Sequence, residues 1–178
     1  MITIISGSNR EAKKTLPFAK FAYNQLVDHG FEARLLDLES LEGEIISSSM
    51  YSKTDQPSAV KAIQDEYFIP ANKFWFFIPE YNGSYPGVLK VLIDIMSTRE
   101  IKETFYDKKA CLTGIALGRA GNLRGMDHLA EVLNHVGIHV HPNKKPISSI
   151  YQMVNESNDL ADDKIKEELE KQIEELTA

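Results

Sequence analysis

The chain has 178 residues, of which 43% are hydrophobic and 26% charged, a composition typical of a soluble globular protein. Its 26 acidic and 20 basic residues give a net charge of −6, which argues against a nucleic-acid partner because phosphate binding usually requires a basic surface. No run of about 18 apolar residues and no basic, cleavable leader occurs, so we expect neither a membrane span nor a signal peptide.

Short β-branched and aromatic runs alternate with longer helical patterns, as in parallel βαβ units. The predicted strands cover residues 2–6, 32–38, 73–79, 109–117 and 137–141. The predicted helices cover residues 15–29, 58–71, 87–98 and 122–136, and a tail helix covers about 159–178. Gly30 follows the first helix at a position where glycine commonly ends helices. This alternation predicts a three-layer α/β fold with a doubly wound parallel sheet.

No repeat or linker divides the chain, so we expect a single domain over residues 1–178. In the tail, apolar residues at helical spacing predict a buried stripe, and the charges between them predict a solvated face. The stripe consists of Ile165, Leu169, Ile173 and Leu176. Segment 39–57 has no clear pattern, and a connection of this length is either a functional loop or partly disordered.

Polar and basic residues follow the first predicted strand, at the end of the sheet where open parallel sheets bind ligands. The stretch SGSNREAKKT, residues 6–15, supplies hydroxyls, an amide and three cations directly before a helix. Loop amides, a helix N-terminus and a guanidinium can together bind a phosphate. The glycines of a P-loop or a dinucleotide fingerprint are absent, which favours a terminal monophosphate over a pyrophosphate. An ordinary polar turn is the alternative.

The third predicted strand opens into the stretch PEYNGSYPG, residues 79–87. Gly83 permits unusual dihedrals, so the peptide groups just before it are free to contact the edge of a flat ring system. Pro86 explains the immediate start of the next helix, because the first turn does not need the N–H that proline lacks. A β-turn with Ser84 as the helix cap is the alternative interpretation.

Three glycines in eight residues follow the fourth predicted strand, namely Gly118, Gly121 and Gly125. They either let the backbone approach a ligand or form a flexible connection into the next helix. Because three neighbouring strand ends carry unusual sequences, we expect them to form one site at the carboxyl edge of the sheet.

These three stretches resemble the NADPH-dependent FMN reductase family, flavodoxin-like enzymes that include quinone, chromate and azo-dye reductases. The family pattern has G-S-x-R after the first strand, P-E-Y-N-x-S-x-P-G-x-L-K-x-x-I-D after the third, and a glycine-rich turn after the fourth. The matching residues are 7–10, 79–90 with 93–94, and 118–121, and the resemblance extends from Ile2 to about residue 142. It implies a flavodoxin-like, five-stranded parallel sheet with strand order 2-1-3-4-5.

The resemblance also implies FMN as the cofactor. Ser8 and Arg10 would bind its phosphate. Lys13 and Thr15 stand where the family often has serine and asparagine. Lys13 would neutralise the charge of the phosphate dianion. One side of the flavin ring would contact, chiefly through backbone groups, Pro79, Glu80, Tyr81, Asn82, Gly83 and Ser84. The opposite side would contact Gly118, Arg119 and Gly121.

The implied reaction transfers a hydride from NADPH or NADH to FMN and then reduces a small-molecule acceptor. Acceptors in this family include quinones, free flavins, azo compounds and metal oxyanions. The alternative is a flavodoxin-like electron carrier or FMN-binding module without nicotinamide turnover. We assign no catalytic acid, base, nucleophile or metal ligand, and the resemblance implies a homodimer or homotetramer.

Three further features have structural interpretations. Cys111 lies in an apolar strand and is predicted to be a buried, inert thiol; as the single cysteine it fits a reducing cytoplasm. The aromatic residues 74–77 are predicted to be core, with alternate side chains facing the two helix layers. His139 and His141 share a strand face, but no carboxylate or cysteine at ligand spacing joins them, so we predict a surface role rather than a metal site.

Overall fold

The computed structural model describes residues 1–11, 13–41 and 45–178. The strands are β1 (Ile2–Ser6), β2 (Ala33–Asp37), β3 (Lys73–Pro79), β4 (Lys109–Ile115), β5 (His139–Val140) and β6 (Lys145–Ile147). The helices are α1 (Leu16–Asp28), α2 (Ser58–Ile63), α3 (Gly87–Met96), α4 (Ile101–Phe105), α5 (Leu123–His135) and α6 (Asp163–Thr177). A π-helical turn (Gln64–Phe68) continues α2, and 3₁₀ turns cover Leu38–Ser40 and Ile150–Gln152.

All strands pair in parallel in the order β2-β1-β3-β4-β5, which confirms the predicted flavodoxin-like α/β fold. The predicted fifth strand is present as β5, which is shorter than residues 137–141, and the prediction missed a sixth short strand, β6, that also pairs with β4. The His141 N–H still donates to the Ala110 carbonyl at 2.8 Å. Pro142 has no N–H to continue the ladder, so the chain leaves the sheet there and returns at Lys145.

Several predicted boundaries shift. The prediction did not include α4, whose five residues are too few to show a helical period. The predicted helix 58–71 becomes α2 and the π turn, which ends at Phe68. The tail helix begins at Asp163, because the carboxylate of Asp162 caps it by accepting a hydrogen bond from the Ile165 N–H at 3.0 Å. Gly30 ends α1 with φ of +82°, as predicted.

The aromatic run of β3 belongs to the core on both sides of the sheet, as predicted. Phe74 and Phe76 pack with α2, α3, α4 and α5, whereas Trp75 and Phe77 pack with α1 and α6. All four side chains are fully buried. Since β3 is covered on both faces, its near-continuous apolar sequence is that of a central parallel strand.

Segment 39–57 is attached to the core at several points. Leu41 and Ile45 pack against the α2–α5 side of the core, and Met50 is buried in it. Residues 42–44 lie outside the described part of the chain. Three apolar side chains therefore attach this segment to the core, whereas Ile46 and Tyr51 are exposed.

The tail helix α6 covers the other face of the sheet. Its predicted stripe of four apolar residues is buried against α1 and the sheet, which confirms that prediction. None of the helices in the described part of the chain has the length and apolar content that a membrane span requires.

Cys111 lies on β4 beneath this helix layer and is buried, as predicted. Burial, with a smaller contribution from the charge of Glu175, raises the pKa of its thiol to about 12. The thiol therefore stays protonated at neutral pH, and a protonated, inaccessible thiol is a poor nucleophile.

The two histidines of the fifth-strand region lie near different carboxylates. Nε2 of His139 is 3.6 Å from Oδ1 of Asp107, and Nδ1 of His141 is 3.7 Å from Oε2 of Glu175. Among the residues that the structure describes, no three His, Cys, Asp or Glu side chains come together as a metal site would require.

A buried polar chain joins α6 to the sheet. The Trp75 indole N–H donates to the hydroxyl of Thr113 at 2.8 Å, and that hydroxyl donates to Oε1 of Gln172 at 2.8 Å. All three side chains are almost fully buried. Each of these three side chains therefore depends on its neighbour for a hydrogen bond that water cannot supply.

Replacing the central hydroxyl should destabilise the fold. Thr113→Val keeps the shape but leaves the Trp75 N–H and the Gln172 carbonyl without their partner. Since each of these two buried groups costs roughly 1–3 kcal/mol, we expect the free energy of unfolding to fall by about 2–6 kcal/mol. Urea unfolding followed by the fluorescence of Trp75, the single tryptophan, measures this.

Thr54→Val is the matched control, because Thr54 is exposed and its change should stay within about 0.5 kcal/mol. Equal losses in the two variants would contradict the assigned role of the buried chain.

Candidate functional site

A cavity of about 520 Å³ lies at the carboxyl edge of the sheet, a volume within the usual range of roughly 300–1,000 Å³ for small-molecule sites. Its walls come from the loop after β1, the turn after β3, the end of β4 and the 3₁₀ turn after β6. The lining residues are Ser8, Arg10, Glu11, Lys13, Lys14, Thr15, residues 79–83, residues 115–118 and Ile150. The three strand ends singled out in the sequence therefore meet at one cavity.

Three of the residues that the family resemblance assigns to the cofactor lie outside this lining: Ser84, Arg119 and Gly121. The other ten lie along it. The two ends of the cavity differ in chemistry, with hydroxyls and cations after β1 and backbone groups after β3.

The loop after β1 packs closely against β3. The Gly7 N–H donates to the Phe77 carbonyl at 2.8 Å, and a Cβ at Gly7 would lie only 3.1 Å from that oxygen. Beyond Gly7, the Ser8 hydroxyl accepts a hydrogen bond from the Arg10 N–H at 3.2 Å. The Thr15 hydroxyl is also buried, 3.2 Å from that of Ser6. Gly7 lets the loop lie close to the sheet. The hydroxyls of Ser8 and Thr15 in this loop line one end of the cavity.

Lys13 does not carry an available charge. Its side chain is buried, and its ammonium pairs with the carboxylates of Asp37, at 2.9 Å, and Glu39 at the end of β2. Two acidic groups balance the charge of Lys13 in this structure, and its expected role at a phosphate stays a prediction. Arg10 and Lys14 are exposed and form no ion pair with any described residue. These two cations are the ones available at this end of the cavity.

The turn after β3 is a tight two-residue reversal. Tyr81 and Ser84 exchange backbone hydrogen bonds of 2.9 and 3.0 Å. Between them, Asn82 and Gly83 have φ of 51° and 77°, as in the Asn-Gly turns of β-hairpins. The unusual dihedral predicted for Gly83 is confirmed. The N–H groups of Asn82 and Gly83 donate to no group in the described part of the chain, so they are available at the cavity wall.

The side chain of Tyr81 reaches the other end of the cavity. Its hydroxyl is 2.6 Å from the Ser8 hydroxyl, and the Arg10 guanidinium lies 5.7 Å from its ring centroid, within cation–π range. The sequence interpretation placed Tyr81 beside the flat ring and missed this contact. Seventy-three residues separate Ser8 from Tyr81, and no local pattern marks the pair. Tyr81 therefore belongs to both ends of the site.

Ser84 has a different partner from either sequence interpretation. Its hydroxyl is 2.9 Å from Nδ1 of His128 on α5. Helix α3 begins at Gly87 with Pro86 as its N-cap, and no side chain caps it. The alternative interpretation was therefore correct about the turn and wrong about Ser84 as a cap, because the hydroxyl is directed toward α5.

The glycines after β4 serve mainly to pack the chain. A Cβ at Gly121 would lie 2.6 Å from Pro146, and one at Gly125 would lie 2.1 Å from Oδ1 of Asn122. Gly118 lines the cavity, and a Cβ there would meet nothing within 4 Å. Contacts with the neighbouring backbone and side chains therefore require glycine at positions 121 and 125, and the expected contact of Gly121 with a ligand stays a prediction.

Asn122 is a site residue that the sequence reasoning missed. It is buried, and its Nδ2 donates to the carbonyls of Pro79 at 2.9 Å and Ile78 at 3.2 Å. Its φ of 59° lies in the left-handed region that asparagine tolerates. An asparagine before a helix is ordinarily interpreted as a cap, which hid this role. Asn122 ties α5 to the end of β3, directly before the turn that lines the cavity.

Comparison with known proteins identifies relatives of the whole chain. The family model described as NADPH-dependent FMN reductase matches residues 1–152. An NAD(P)H-dependent FMN reductase of Pseudomonas aeruginosa is 32% identical over 175 residues, which cover 97% of this chain and 90% of that protein.

Solved structures show the same fold. The FerB flavoenzyme of Paracoccus denitrificans, an NAD(P)H:acceptor oxidoreductase, superposes with a TM-score of 0.80 at 20% identity, covering 98% of this chain and 93% of its own. A flavodoxin variant from Pseudomonas aeruginosa superposes with a TM-score of 0.62 at 15% identity, covering 99% of each chain. At these identities the likeness concerns the fold.

The role of Asn122 can be tested by an isosteric substitution. Asn122→Asp replaces the buried amide donor by a carboxylate that faces two carbonyl oxygens. We expect the free energy of unfolding at pH 7 to fall by about 3 kcal/mol, the upper part of the range for a buried group without a partner. The loss should shrink as the pH falls to about 4, because a protonated carboxyl group can again donate. Urea unfolding at both pH values measures this.

Asn158→Asp is the matched control, since Asn158 also has a positive φ of 61° but is exposed. Its change should stay within about 0.5 kcal/mol. Similar losses at the two positions would attribute the effect to backbone conformation and contradict the proposed hydrogen bonds.

Proposed function

Because the chain belongs to the NADPH-dependent FMN reductase family, we propose that it oxidises NADPH or NADH through bound FMN and reduces a small-molecule acceptor. The observation that carries this proposal is the cavity with two chemically distinct ends. One end offers hydroxyls and two available cations, and the other offers backbone N–H groups without described partners. A ligand with a phosphate at one end and a flat polar ring at the other matches this arrangement.

The phosphate of FMN fits the loop after β1. Ser8 and Thr15 supply hydroxyls, and Arg10 and Lys14 supply positive charge. Hydrogen bonds from charged donors to phosphate oxygens are the stronger class of such contacts. The Tyr81 hydroxyl, now bonded to Ser8, adds a donor at the same end. Lys13 acts indirectly in this proposal, by fixing the end of β2 beside the loop.

The flavin ring fits the turn after β3. Backbone groups of residues 79–83 would contact one side of it, and Gly118 would face it from the chain after β4. Asn122 holds the carbonyls of Ile78 and Pro79, so the residues that follow keep a defined position. Positioning of this kind is what a protein contributes to cofactor chemistry. Bound FMN supplies the redox chemistry, accepting a hydride from the nicotinamide and passing the electrons to the acceptor.

No side chain of the cavity is assigned a proton-transfer role. Glu80 lines the cavity but is exposed, and the pKa of the Cys111 thiol is raised within a separate buried layer. The acceptor we propose is a quinone, a free flavin, an azo compound or a metal oxyanion. We further propose a cytoplasmic homodimer or homotetramer.

Purified protein loaded with FMN tests the proposal. We expect one flavin per chain, released by heating as FMN and not FAD, and bleaching of the yellow colour on anaerobic addition of NADPH or NADH. Admission of a quinone should restore the colour.

Release of FAD, or no flavin uptake, would refute the cofactor assignment. FMN uptake without bleaching by either nicotinamide would instead establish the electron carrier or binding module, a class that includes the flavodoxin with the same fold.

Arg10 should discriminate FMN from riboflavin, which lacks the phosphate. A charge-assisted hydrogen bond contributes roughly 1.5–3 kcal/mol, so Arg10→Ala should weaken FMN binding about ten- to a hundredfold and riboflavin binding much less. Quenching of flavin fluorescence on titration with apoprotein measures both constants.

Arg34→Ala is the matched control, because Arg34 lies on β2, pairs with Glu66 and does not line the cavity. The affinity of the Arg34→Ala protein for FMN and for riboflavin should equal that of the wild type. Equal weakening of FMN and riboflavin in Arg10→Ala would show that Arg10 does not contact the phosphate.

A further inference from the structure

A second guanidinium lies beside the ring end of the cavity. Arg124 is the second residue of α5, and its side chain rests against Gly83 at the tip of the turn after β3. A Cβ at Gly83 would lie 3.2 Å from Nη1 and 3.6 Å from Cζ of Arg124. Gly83 lines the cavity and Arg124 does not, so the guanidinium stands at the rim outside it.

The charge of Arg124 is not balanced within the described part of the chain. Arg34 pairs with Glu66 and Arg99 with Asp65, whereas Arg124 is exposed and forms no ion pair or hydrogen bond with a described residue. The protein as a whole carries a net charge of −6. An unpaired guanidinium at a cavity rim is suited to bind phosphate or carboxylate oxygens.

The position of Arg124 is not explained by the stability of its helix. A cation in the first turn of a helix interacts unfavourably with the partial positive charge of the N-terminal end. Its neighbour one turn further along, His128, bonds to Ser84 of the same turn at 2.9 Å. Residues four apart share a helix face, so this face of α5 is fixed against the turn and holds the guanidinium beside it.

The proposed function indicates which anion arrives at this rim. The phosphate of FMN belongs at the other end of the cavity, where Arg10 and Lys14 are available. A nicotinamide that meets the flavin ring must extend the rest of its dinucleotide out of the cavity across the rim, and that remainder carries the phosphates. We propose that Arg124 is a specificity-determining residue that binds a phosphate group of the nicotinamide dinucleotide. This inference rests on the proposed function.

The test uses FMN-loaded wild-type and Arg124→Ala protein. Isothermal titration calorimetry should give a dissociation constant for NADP⁺ about ten- to a hundredfold higher in the variant than in the wild type. In anaerobic stopped-flow measurements the second-order rate constant for reduction by NADPH should fall by the same factor, while the limiting rate at saturation stays unchanged. Reduction by 1-benzyl-1,4-dihydronicotinamide, a hydride donor without phosphates, should be unaffected.

Comparison of NADH with NADPH as the reductant identifies which phosphate Arg124 binds. An equal loss with NADH and NADPH assigns Arg124 to the pyrophosphate, and a loss confined to NADPH assigns it to the 2′-phosphate; both outcomes support the proposal. Arg124→Lys should recover part of the affinity, since it keeps the charge and loses the bidentate geometry. Arg34→Ala, which removes the same charge away from the cavity, should bind and react like the wild type.

Unchanged NADP⁺ binding and unchanged NADPH kinetics in Arg124→Ala would overturn this inference and leave the proposed function intact. An equal loss with the phosphate-free donor would also overturn it, because the defect would then lie in the flavin site. Absence of NADP⁺ binding and of reduction by both NADPH and NADH in the wild type would overturn the proposed function and this inference together.

Discussion

The parallel pairing of β3 with both β1 and β4 is the constraint on which the site depends. Ser6 is paired with Phe77, and Pro79 with Ile115, so the three strands end within two residues of one another at one edge of the sheet. The burial of four consecutive aromatic side chains on the two faces of β3 holds this strand at the centre. Once the register is set, the loops that follow the strands have to meet, and the site is assembled from segments that are distant in sequence.

Buried polar contacts then determine where each loop lies. Asn122 binds the last carbonyls of β3, and the Tyr81 hydroxyl meets that of Ser8 across the cavity. Asn122 and Ser8 are themselves buried, so each of these two side chains needs a partner within the protein. The positions of the available positive charges are likewise determined by which groups are paired. Lys13 is neutralised by Asp37 and Glu39, which leaves Arg10 and Lys14 at one end of the cavity and Arg124 at the rim of the other. Although the protein is acidic overall, positive charge is therefore available at the cavity, where an anionic ligand is expected.

Helices and strands with a strong local period were correctly predicted from the sequence, and those without one were not. The central strands are near-continuous apolar runs and the apolar stripe of α6 recurs at helical spacing, and both are local properties. Helix α4 is too short to show a period, and β6 is a three-residue strand that lies after Pro142, beyond the predicted strand 137–141. The π turn after α2 leaves no compositional trace, because it differs from a helix only in its hydrogen bonds.

The sequence by itself determined the fold class, the strand order through the family resemblance, and the three loops that line the cavity. These follow from periodicity and from turn residues such as Gly83, whose conformational requirement is local. Only the tertiary structure decided the roles of individual side chains within those loops. Lys13 pairs with Asp37 on β2 and with Glu39 in the turn after it, Ser84 bonds with His128, and Tyr81 bonds with Ser8, although the sequence suggested other partners for each. The physical reason is that a hydrogen bond or ion pair depends on which groups the packed chain brings within about 3 Å of each other, and separation along the sequence carries no information about that distance.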